Sequence, residues 1–214
     1  MIAEQVKKKV IIFDFDGVLR SVSWKGLHVA YIEIIKAKGK DPKRFFTDLK
    51  TFRDWFDMDW HKNMENIDGT YLEKPEINAL FHKHYDPHVK LFPWVEELLI
   101  HLSERYDLAI LSSSSIHSVK EELGDVARFF PIIVGAETVM QLKPHPEGVH
   151  YILNHFGVLS ENALIIGDTP QDFYAGESAG IWTGMIGWGL APWGELQSLN
   201  AELYFEHPCE LFLL

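Results

Sequence analysis

Short, uninterrupted apolar runs recur along the chain, and they constrain its fold more than any other feature of the sequence. Such a run, in which apolar and polar residues do not alternate, is typical of a strand buried on both faces. Helical spacing of apolar residues separates the runs, for example over 95–102 and 149–156. This alternation predicts an α/β fold with a doubly wound, Rossmann-like parallel sheet. The runs are VIIF (10–13), LAIL (108–111), IIV (132–134), ALII (163–166) and, more weakly, MIGW (185–188) and LYF (203–205).

The segment 21–85 interrupts this alternation. It is rich in aromatic and charged residues, shows helical periodicity over 27–35, and contains no convincing strand. We therefore predict a small all-helical domain inserted after the first strand, with residues 1–20 and 86–214 forming the α/β core. Serines near its start and prolines near its end are plausible hinges.

Composition excludes several classes of protein. The 214 residues are 47% hydrophobic and 24% charged, which is typical of a globular chain. A formal net charge of -11 disfavours nucleic acid as a partner and is compatible with a divalent cation. The single cysteine, Cys209, rules out an intrachain disulfide. We expect no membrane span and a cytoplasmic location, since no stretch approaches the roughly 18–20 apolar residues required and no signal-peptide pattern is visible.

Polar side chains follow several predicted strands, at the edge of the sheet where doubly wound proteins bind their ligands. Two carboxylates one residue apart after the first strand point to the same side, so both can reach one ligand. A run of serines begins what should be a helix N-terminus, where backbone N–H groups favour an anion. The candidates are Asp14 and Asp16 after VIIF, Ser112 and Ser113 after LAIL, Lys143 in LKPHPE, and Asp168 and Asp172 in GDTPQD.

Several carboxylates brought to one point repel one another unless a cation compensates them. Mg²⁺ takes hard oxygen ligands from one or two carboxylates, waters and a phosphate. Asp14, Asp168 and the backbone carbonyl of Asp16 fit that pattern. With the metal, the set contains the parts needed for phosphoryl transfer: a carboxylate nucleophile, a carboxyl group for proton transfer, and positive charge for the phosphate oxygens.

Four segments resemble, in order and spacing, the signature motifs of the haloacid dehalogenase-like superfamily. The resemblance covers roughly residues 8–20 and 90–214. The helical insertion looks like the small cap of the phosphoglycolate phosphatase and β-phosphoglucomutase branch. The segments are FDFDGVL, LAILSSSS, LKPHPEGVHYIL and IIGDTPQDFYAGESAG.

The resemblance implies a Mg²⁺-dependent phosphatase that acts on a small phosphorylated metabolite. We expect a monomer or a homodimer, and the sequence leaves the choice between them open. Asp14 would form an aspartyl-phosphate, and Asp16 would protonate the leaving alcohol and then activate water. The phosphoryl oxygens would be bound by Ser112, Ser113 and Lys143. The metal would be held by Asp14, Asp16 and Asp168, with Asp172 as a second acidic contact.

The chain departs from the superfamily pattern at two places. Arg20 and Ser21 stand where many capped phosphatases carry an acidic residue, and Trp94 stands where a glycine usually follows the proline. Basic residues here and in the insertion are candidate contacts for a second anionic group of the substrate. Because arginine and lysine are mostly exposed, we expect each of them to be solvated. They are Arg20, Arg44, Arg53 and Lys62.

Other interpretations stay open at this stage. A phosphomutase acting on sugar phosphates would use the same residues, and a phospho-accepting signalling module would also combine an acidic cluster, a hydroxyl and a lysine. His82, His84 and His88 could form a metal site, although surface positions are favoured. The aromatic residues of the insertion are expected to form its own core rather than a ligand cage. They are Phe45, Phe46, Phe52, Trp55, Phe56 and Trp60.

Overall fold

The computed structural model describes residues 9–58, 60–69 and 75–214. Six strands alternate with helices through the core, as the apolar runs predict. The strands are β1 (Val10–Phe13), β2 (Asp107–Leu111), β3 (Ile132–Val134), β4 (Ala163–Gly167), β5 (Trp182–Ile186) and β6 (Leu203–Phe205). The helices are α1 (Trp24–Ala37), α2 (Leu49–Trp55), α3 (Trp60–Asp68), α4 (Pro75–Tyr85), α5 (Val95–Ser103), α6 (Ile116–Leu123), α7 (Glu147–Phe156), α8 (Pro170–Ala179) and α9 (Trp193–Leu196).

All six strands are parallel and lie in the order β3-β2-β1-β4-β5-β6. This is the order of a doubly wound sheet, and the direction of winding reverses between β1 and β4. The predicted α/β, Rossmann-like fold with a helical insertion after the first strand is confirmed. β5 begins three residues before the apolar run MIGW and ends at Ile186, so the strand boundaries predicted from that run were wrong.

Apolar residues of the strands alternate between the two faces of the sheet. Ile11 and Phe13 belong to a core that includes the apolar side of α5, whereas Val10 and Ile12 belong to a core that includes the apolar side of α7. Both faces are therefore covered by helices, which explains why the strands read as continuous apolar runs. None of the helices in the described ranges combines the length and apolar character needed to cross a membrane.

The chain divides into two compact units, one comprising the residues up to Ser21 together with Leu91–Leu214 and the other Val22–Lys90. The sequence predicted the insertion at 21–85. Helices α1 to α4 form the second unit, and its described residues contain no strand. Its centre is the buried Phe52, whose ring centroid lies 4.9–6.4 Å from six other rings. Those rings belong to Trp24, His28, Tyr31, Phe46, Trp55 and Phe56.

The two chain segments that lead from the core into the insertion and back are hydrogen-bonded to each other. Arg20 and Leu91 form an antiparallel bridge, and the Phe92 N–H donates to the Leu19 carbonyl at 3.0 Å. Trp94, which replaces the usual glycine, stacks on Phe92 with ring centroids 5.2 Å apart. The indole therefore packs on the returning segment inside the core unit.

Candidate active site

Three buried carboxylates converge where the winding of the sheet reverses. Asp14 follows β1 and Asp168 follows β4, its neighbour in the sheet, while Asp172 lies in the first turn of α8. One carboxylate oxygen from each of the three lies within 4.8 Å of the other two. The Asp14 N–H donates to the Ile166 carbonyl at 2.9 Å, so the ladder between β1 and β4 continues up to the nucleophile candidate.

Lys143 lies between two of these carboxylates. Its Nζ is 2.7 Å from Oδ1 of Asp14 and 2.6 Å from Oδ1 of Asp172, and its side chain is only 6% exposed. Burial lowers the pKa of Lys143, but the charges of Asp14 and Asp172 outweigh it, so that the pKa is raised above its ordinary value. The lysine is therefore a permanent cation within the cluster.

Asp172 connects the cluster to the start of α8. Its Oδ2 accepts hydrogen bonds from the Asp168 N–H at 3.2 Å, from the Thr169 N–H at 3.0 Å and from the Thr169 hydroxyl at 2.7 Å. Thr169 and Asp172 thereby form a capping box at the N-terminus of the helix. Because Oδ1 binds Lys143, this one side chain orients both the lysine and the loop that carries Asp168.

One carboxylate oxygen of Asp168 is available to bind a ligand. Its Oδ2 accepts the Leu190 N–H at 2.7 Å, whereas its Oδ1 is buried and has no hydrogen-bond partner among the described residues. Backbone surrounds this carboxylate closely: a Cβ on Gly17 would lie 1.9 Å from Asp168 Oδ2, and a Cβ on Gly189 would lie 2.3 Å from the same atom. Gly17 also has a φ of 87°, which favours glycine.

The cluster holds more negative charge than Lys143 can balance, and the pKa values reflect this. Burial raises the pKa of Asp14 to about 7; Lys143 opposes that rise and Asp172 adds to it. Burial and the charges of Asp14 and Asp172 also raise the pKa of Asp168. An unpartnered buried oxygen beside clustered carboxylates is a donor set that suits a hard divalent cation, so these residues fit Mg²⁺.

Asp16 lies outside that carboxylate cluster. Its Oδ1 accepts from the Arg20 Nε at 2.7 Å and lies 2.6 Å from Nη2, while its Oδ2 accepts from the Ser114 hydroxyl at 3.1 Å. The expectation that Arg20 is solvated was wrong, since its side chain is 1% exposed. The Arg20 guanidinium can be buried because the short turn after Asp16 places it against the Asp16 carboxylate, which compensates its charge.

The serines that follow β2 differ in burial and in their hydrogen bonds. Ser112 is buried, and its Oγ accepts the Ser114 N–H at 3.0 Å. Ser113 is exposed, and Ser115 caps α6 by accepting the Ser118 N–H at 3.2 Å. The structure therefore brings Asp14, Lys143, Asp168 and Asp172 together in one cluster, and it joins Asp16 to the serine loop through Ser114.

Three residues support the site in roles that were not predicted from the sequence. Arg20 and Ser114 contact Asp16, and the carboxylate of Glu147 accepts the N–H groups of Met140 and Gln141 at 3.0 Å, just before Lys143. Spacing could have indicated Arg20, because a cation four residues after an aspartate often pairs with it. No pattern within four consecutive serines could have distinguished Ser114.

The remaining candidates take ordinary structural positions. Arg44, Arg53 and Lys62 are exposed, as expected for solvated residues. His82 Nδ1 lies 3.3 Å from the Asp86 carboxylate, and within the described ranges the group whose geometry could hold a metal is Asp14, Asp168 and Asp172. The aromatic residues of the insertion pack on one another around Phe52.

Comparison with known proteins identifies the family of the chain. The family model described as haloacid dehalogenase-like hydrolase matches residues 11–186. Pyrophosphatase PpaX of Bacillus cereus (strain AH820) is 26% identical over 156 residues, which cover 71% of this chain and 72% of that protein.

Two solved structures are similar over nearly their whole length. A haloacid dehalogenase-like family hydrolase from Streptococcus pneumoniae is 25% identical, with a TM-score of 0.76 over 97% of this chain and 98% of that chain. A putative phosphoglycolate phosphatase from Lactobacillus plantarum, 20% identical, shares the fold with a TM-score of 0.79 over 96% and 98% of the two chains. Because the family model spans most of the sequence, the chain belongs to the haloacid dehalogenase-like hydrolases.

Proposed function

We propose that this enzyme is a Mg²⁺-dependent phosphatase that hydrolyses a small phosphorylated metabolite, a phosphoglycolate- or sugar-phosphate-like monoester, through an aspartyl-phosphate. The observation that carries the proposal is the buried Asp14 carboxylate, which contacts Lys143 and clusters with Asp168, whose Oδ1 has no hydrogen-bond partner among the described residues. We also propose that the helical unit Val22–Lys90 is a cap domain.

In the first step, a carboxylate oxygen of Asp14 attacks phosphorus in line with the ester oxygen. The new Asp14 O–P bond forms as the bond from phosphorus to the leaving oxygen breaks. Asp14 must be ionised for this attack, and Lys143 favours that form through its contact with Oδ1. Lys143 remains charged throughout and can also attract a phosphoryl oxygen.

Asp16 acts first as a general acid and then as a general base. Its protonated carboxyl gives a proton to the leaving alkoxide, which departs as an alcohol. The resulting carboxylate then takes a proton from water as the water oxygen attacks the aspartyl-phosphate. Hydrolysis releases inorganic phosphate, and both aspartates return to their starting states.

Ser112 and Ser113 are proposed to bind the phosphoryl oxygens. The Ser112 Oγ already accepts the Ser114 N–H, which orients the hydroxyl and leaves its own proton as a donor. Ser113 follows it in the loop that leads to α6, where N–H groups at the helix start favour an anion.

Asp14, Asp168 and the backbone carbonyl of Asp16 would hold Mg²⁺, with Asp172 as a second acidic contact. When bound, the ion supplies positive charge for the phosphoryl oxygens. Asp172 already uses both oxygens for Lys143 and for the loop at Asp168, so its main task is to orient those two groups.

The decisive experiment measures phosphate release from a panel of phosphorylated metabolites, including phosphoglycolate, hexose phosphates and pyrophosphate, with Mg²⁺ or with EDTA. We expect Mg²⁺-dependent release from the wild type and none above background from Asp14→Asn, whose circular dichroism spectrum should be unchanged. Retained activity in Asp14→Asn would overturn the aspartyl-phosphate mechanism.

Product analysis separates the other two hypotheses. Isomerised sugar phosphate with little free phosphate would indicate a phosphomutase. A stable phosphoprotein without turnover would indicate a phospho-accepting module. Stoichiometric free phosphate supports the phosphatase.

A further inference from the structure

Arg20 is a buried cation that the phosphatase chemistry does not itself require. Its guanidinium contacts Oδ1 of Asp16 through both Nε and Nη2, at 2.7 and 2.6 Å. The side chain is 1% exposed, whereas that of Asp16 is 28% exposed. The arginine thus approaches Asp16 from the protein interior, while part of the aspartate still faces solvent.

A buried guanidinium is costly unless its surroundings compensate the charge. Here Asp16 is the close partner, Nη1 lies 3.8 Å from Oε1 of Glu122, and the guanidinium carbon lies 5.1 Å from the centroid of the Phe15 ring. These contacts on several sides fix where the guanidinium can lie. Arg20 is therefore a rigid partner for Asp16.

The backbone reinforces this rigidity. The N–H groups of Leu19 and Arg20 both donate to the Phe15 carbonyl at 3.0 Å, and the Gly17 N–H donates to the Arg20 carbonyl at 2.7 Å. This turn returns the Arg20 side chain to Asp16. The Arg20 side chain and these main-chain hydrogen bonds together restrict the conformation of the turn that follows Asp14 and contains Asp16.

The two oxygens of Asp16 have chemically different partners. Oδ1 faces guanidinium N–H groups, which can only donate, so this oxygen is occupied as an acceptor. Oδ2 faces the Ser114 hydroxyl, which can either donate or accept. A proton on the carboxyl group is therefore compatible with Oδ2 and incompatible with Oδ1.

We propose that Arg20 is a positioning residue that, together with Ser114, holds the carboxyl group of Asp16 so that Oδ2 is the oxygen that gives and receives the proton. This inference rests on the proposed function, in which Asp16 is the general acid and base. Arg20 contacts no reacting atom in it and acts through Asp16 alone.

A double-mutant cycle tests this role. Arg20→Met should lower kcat by ~100-fold or more with little change in KM, because correctly placed acid–base catalysis contributes about that much. In an Asp16→Asn background the same change should have almost no further effect, since the group that Arg20 positions is already inactive. The losses in kcat/KM should be larger for an alkyl phosphate than for 4-nitrophenyl phosphate, whose leaving group needs little protonation.

Arg20→Lys and Ser114→Ala keep the test decisive if Arg20→Met fails to fold. Arg20→Lys should recover part of kcat, and Ser114→Ala should lower kcat with the same dependence on the leaving group. Arg128→Met is the matched control, because Arg128 pairs with Glu96 and its side chain is 52% exposed; its kinetics should equal those of the wild type.

Multiplicative losses in the cycle, or equal losses in kcat/KM for alkyl and aryl phosphates, would show that Arg20 has only a structural role. That result is distinct from failure of the proposed function, which would appear as activity retained in Asp14→Asn. A folded Arg20→Met enzyme with unchanged kcat would likewise overturn the inference.

Discussion

The ammonium group of Lys143 lies 2.7 Å from Oδ1 of Asp14, and both side chains are almost fully buried. Lys143 also binds Asp172, so one cation offsets two of the three clustered carboxylates. The pair sits at the point where the winding of the sheet reverses, which is where this fold places its ligands.

Replacing Lys143 by methionine should abolish phosphatase activity and destabilise the protein. Loss of one partner from a buried ion pair typically costs about 3–5 kcal/mol in the free energy of unfolding. Urea denaturation at pH 8 should show that loss, and at pH 5 it should be smaller because the carboxylates can take up protons. Lys36→Met is the control: Lys36 is 56% exposed and pairs with Glu33, so its effect should stay within about 0.5 kcal/mol. Equal effects of the two changes would contradict this prediction.

Without metal, the protein should become less stable as the pH rises from about 4 to about 8. Burial raises the pKa of Asp14 from its ordinary 3.8 to about 7, and the pKa of Asp168 moves in the same direction. The folded state therefore binds more protons than the unfolded state in this window, and the stability present at low pH is lost as the pH passes through the folded-state pKa. Thermal melting in EDTA across this range measures the effect.

Mg²⁺ should reverse that loss, because it binds the native carboxylates in their ionised form. At pH 8 we expect Mg²⁺ to raise Tm, and at pH 5 we expect a much smaller increase. Asp168→Asn should remove most of the Mg²⁺ effect. An increase in Tm that is the same at both pH values would argue against binding at these carboxylates.

Gly189→Ala should displace the Asp168 carboxylate, because the backbone of Gly189 packs directly against it. The added Cβ would lie 2.2 Å from Cβ and 2.3 Å from Oδ2 of Asp168, so the carboxylate must move. We expect a stability loss of about 1–3 kcal/mol and a higher Mg²⁺ concentration for half-maximal activity. Gly194→Ala is the control, since the methyl group added there would have no described atom within 4 Å beyond its chain neighbours and the backbone of its own helix. Unchanged Mg²⁺ dependence in Gly189→Ala would contradict the proposed role of Asp168.

Phe52→Ala should loosen the helical unit selectively. Phe52 is fully buried among six aromatic rings, and removing such a side chain typically costs about 3–5 kcal/mol. Hydrogen exchange should become faster in Val22–Lys90 and stay slow in the strands of the sheet. Lys50→Ala on the same helix is the control, because Lys50 is 89% exposed. Uniformly faster exchange in both units would show that they unfold together.

Apolar runs were sufficient to predict β1 to β4 because those strands are largely buried, whereas β6 was predicted although only Phe205 in it is buried. β5 was misplaced because its sequence, WTGMI, contains a threonine and a glycine within the strand. Thr183 is buried there because its hydroxyl donates to the Glu202 carboxylate at 2.9 Å. Such a long-range partner leaves no local pattern in the sequence.

The candidate site was predictable where residue type and strand ends coincide, as for Asp14 and Asp168. Arg20 was not, because the general tendency of arginine to be exposed outweighs a single favourable spacing. Its burial also depends on Glu122, which approaches from a distant part of the chain and which only the tertiary structure shows.

The bridge between Arg20 and Leu91 closes the core where the helical insertion begins and ends. Because the core holds the two ends together with its own hydrogen bonds, the inserted segment is a loop whose closure entropy grows only with the logarithm of its length. We therefore expect insertions of very different size to be tolerated at this junction. Evolution can exchange the inserted module here while the clustered carboxylates keep their positions.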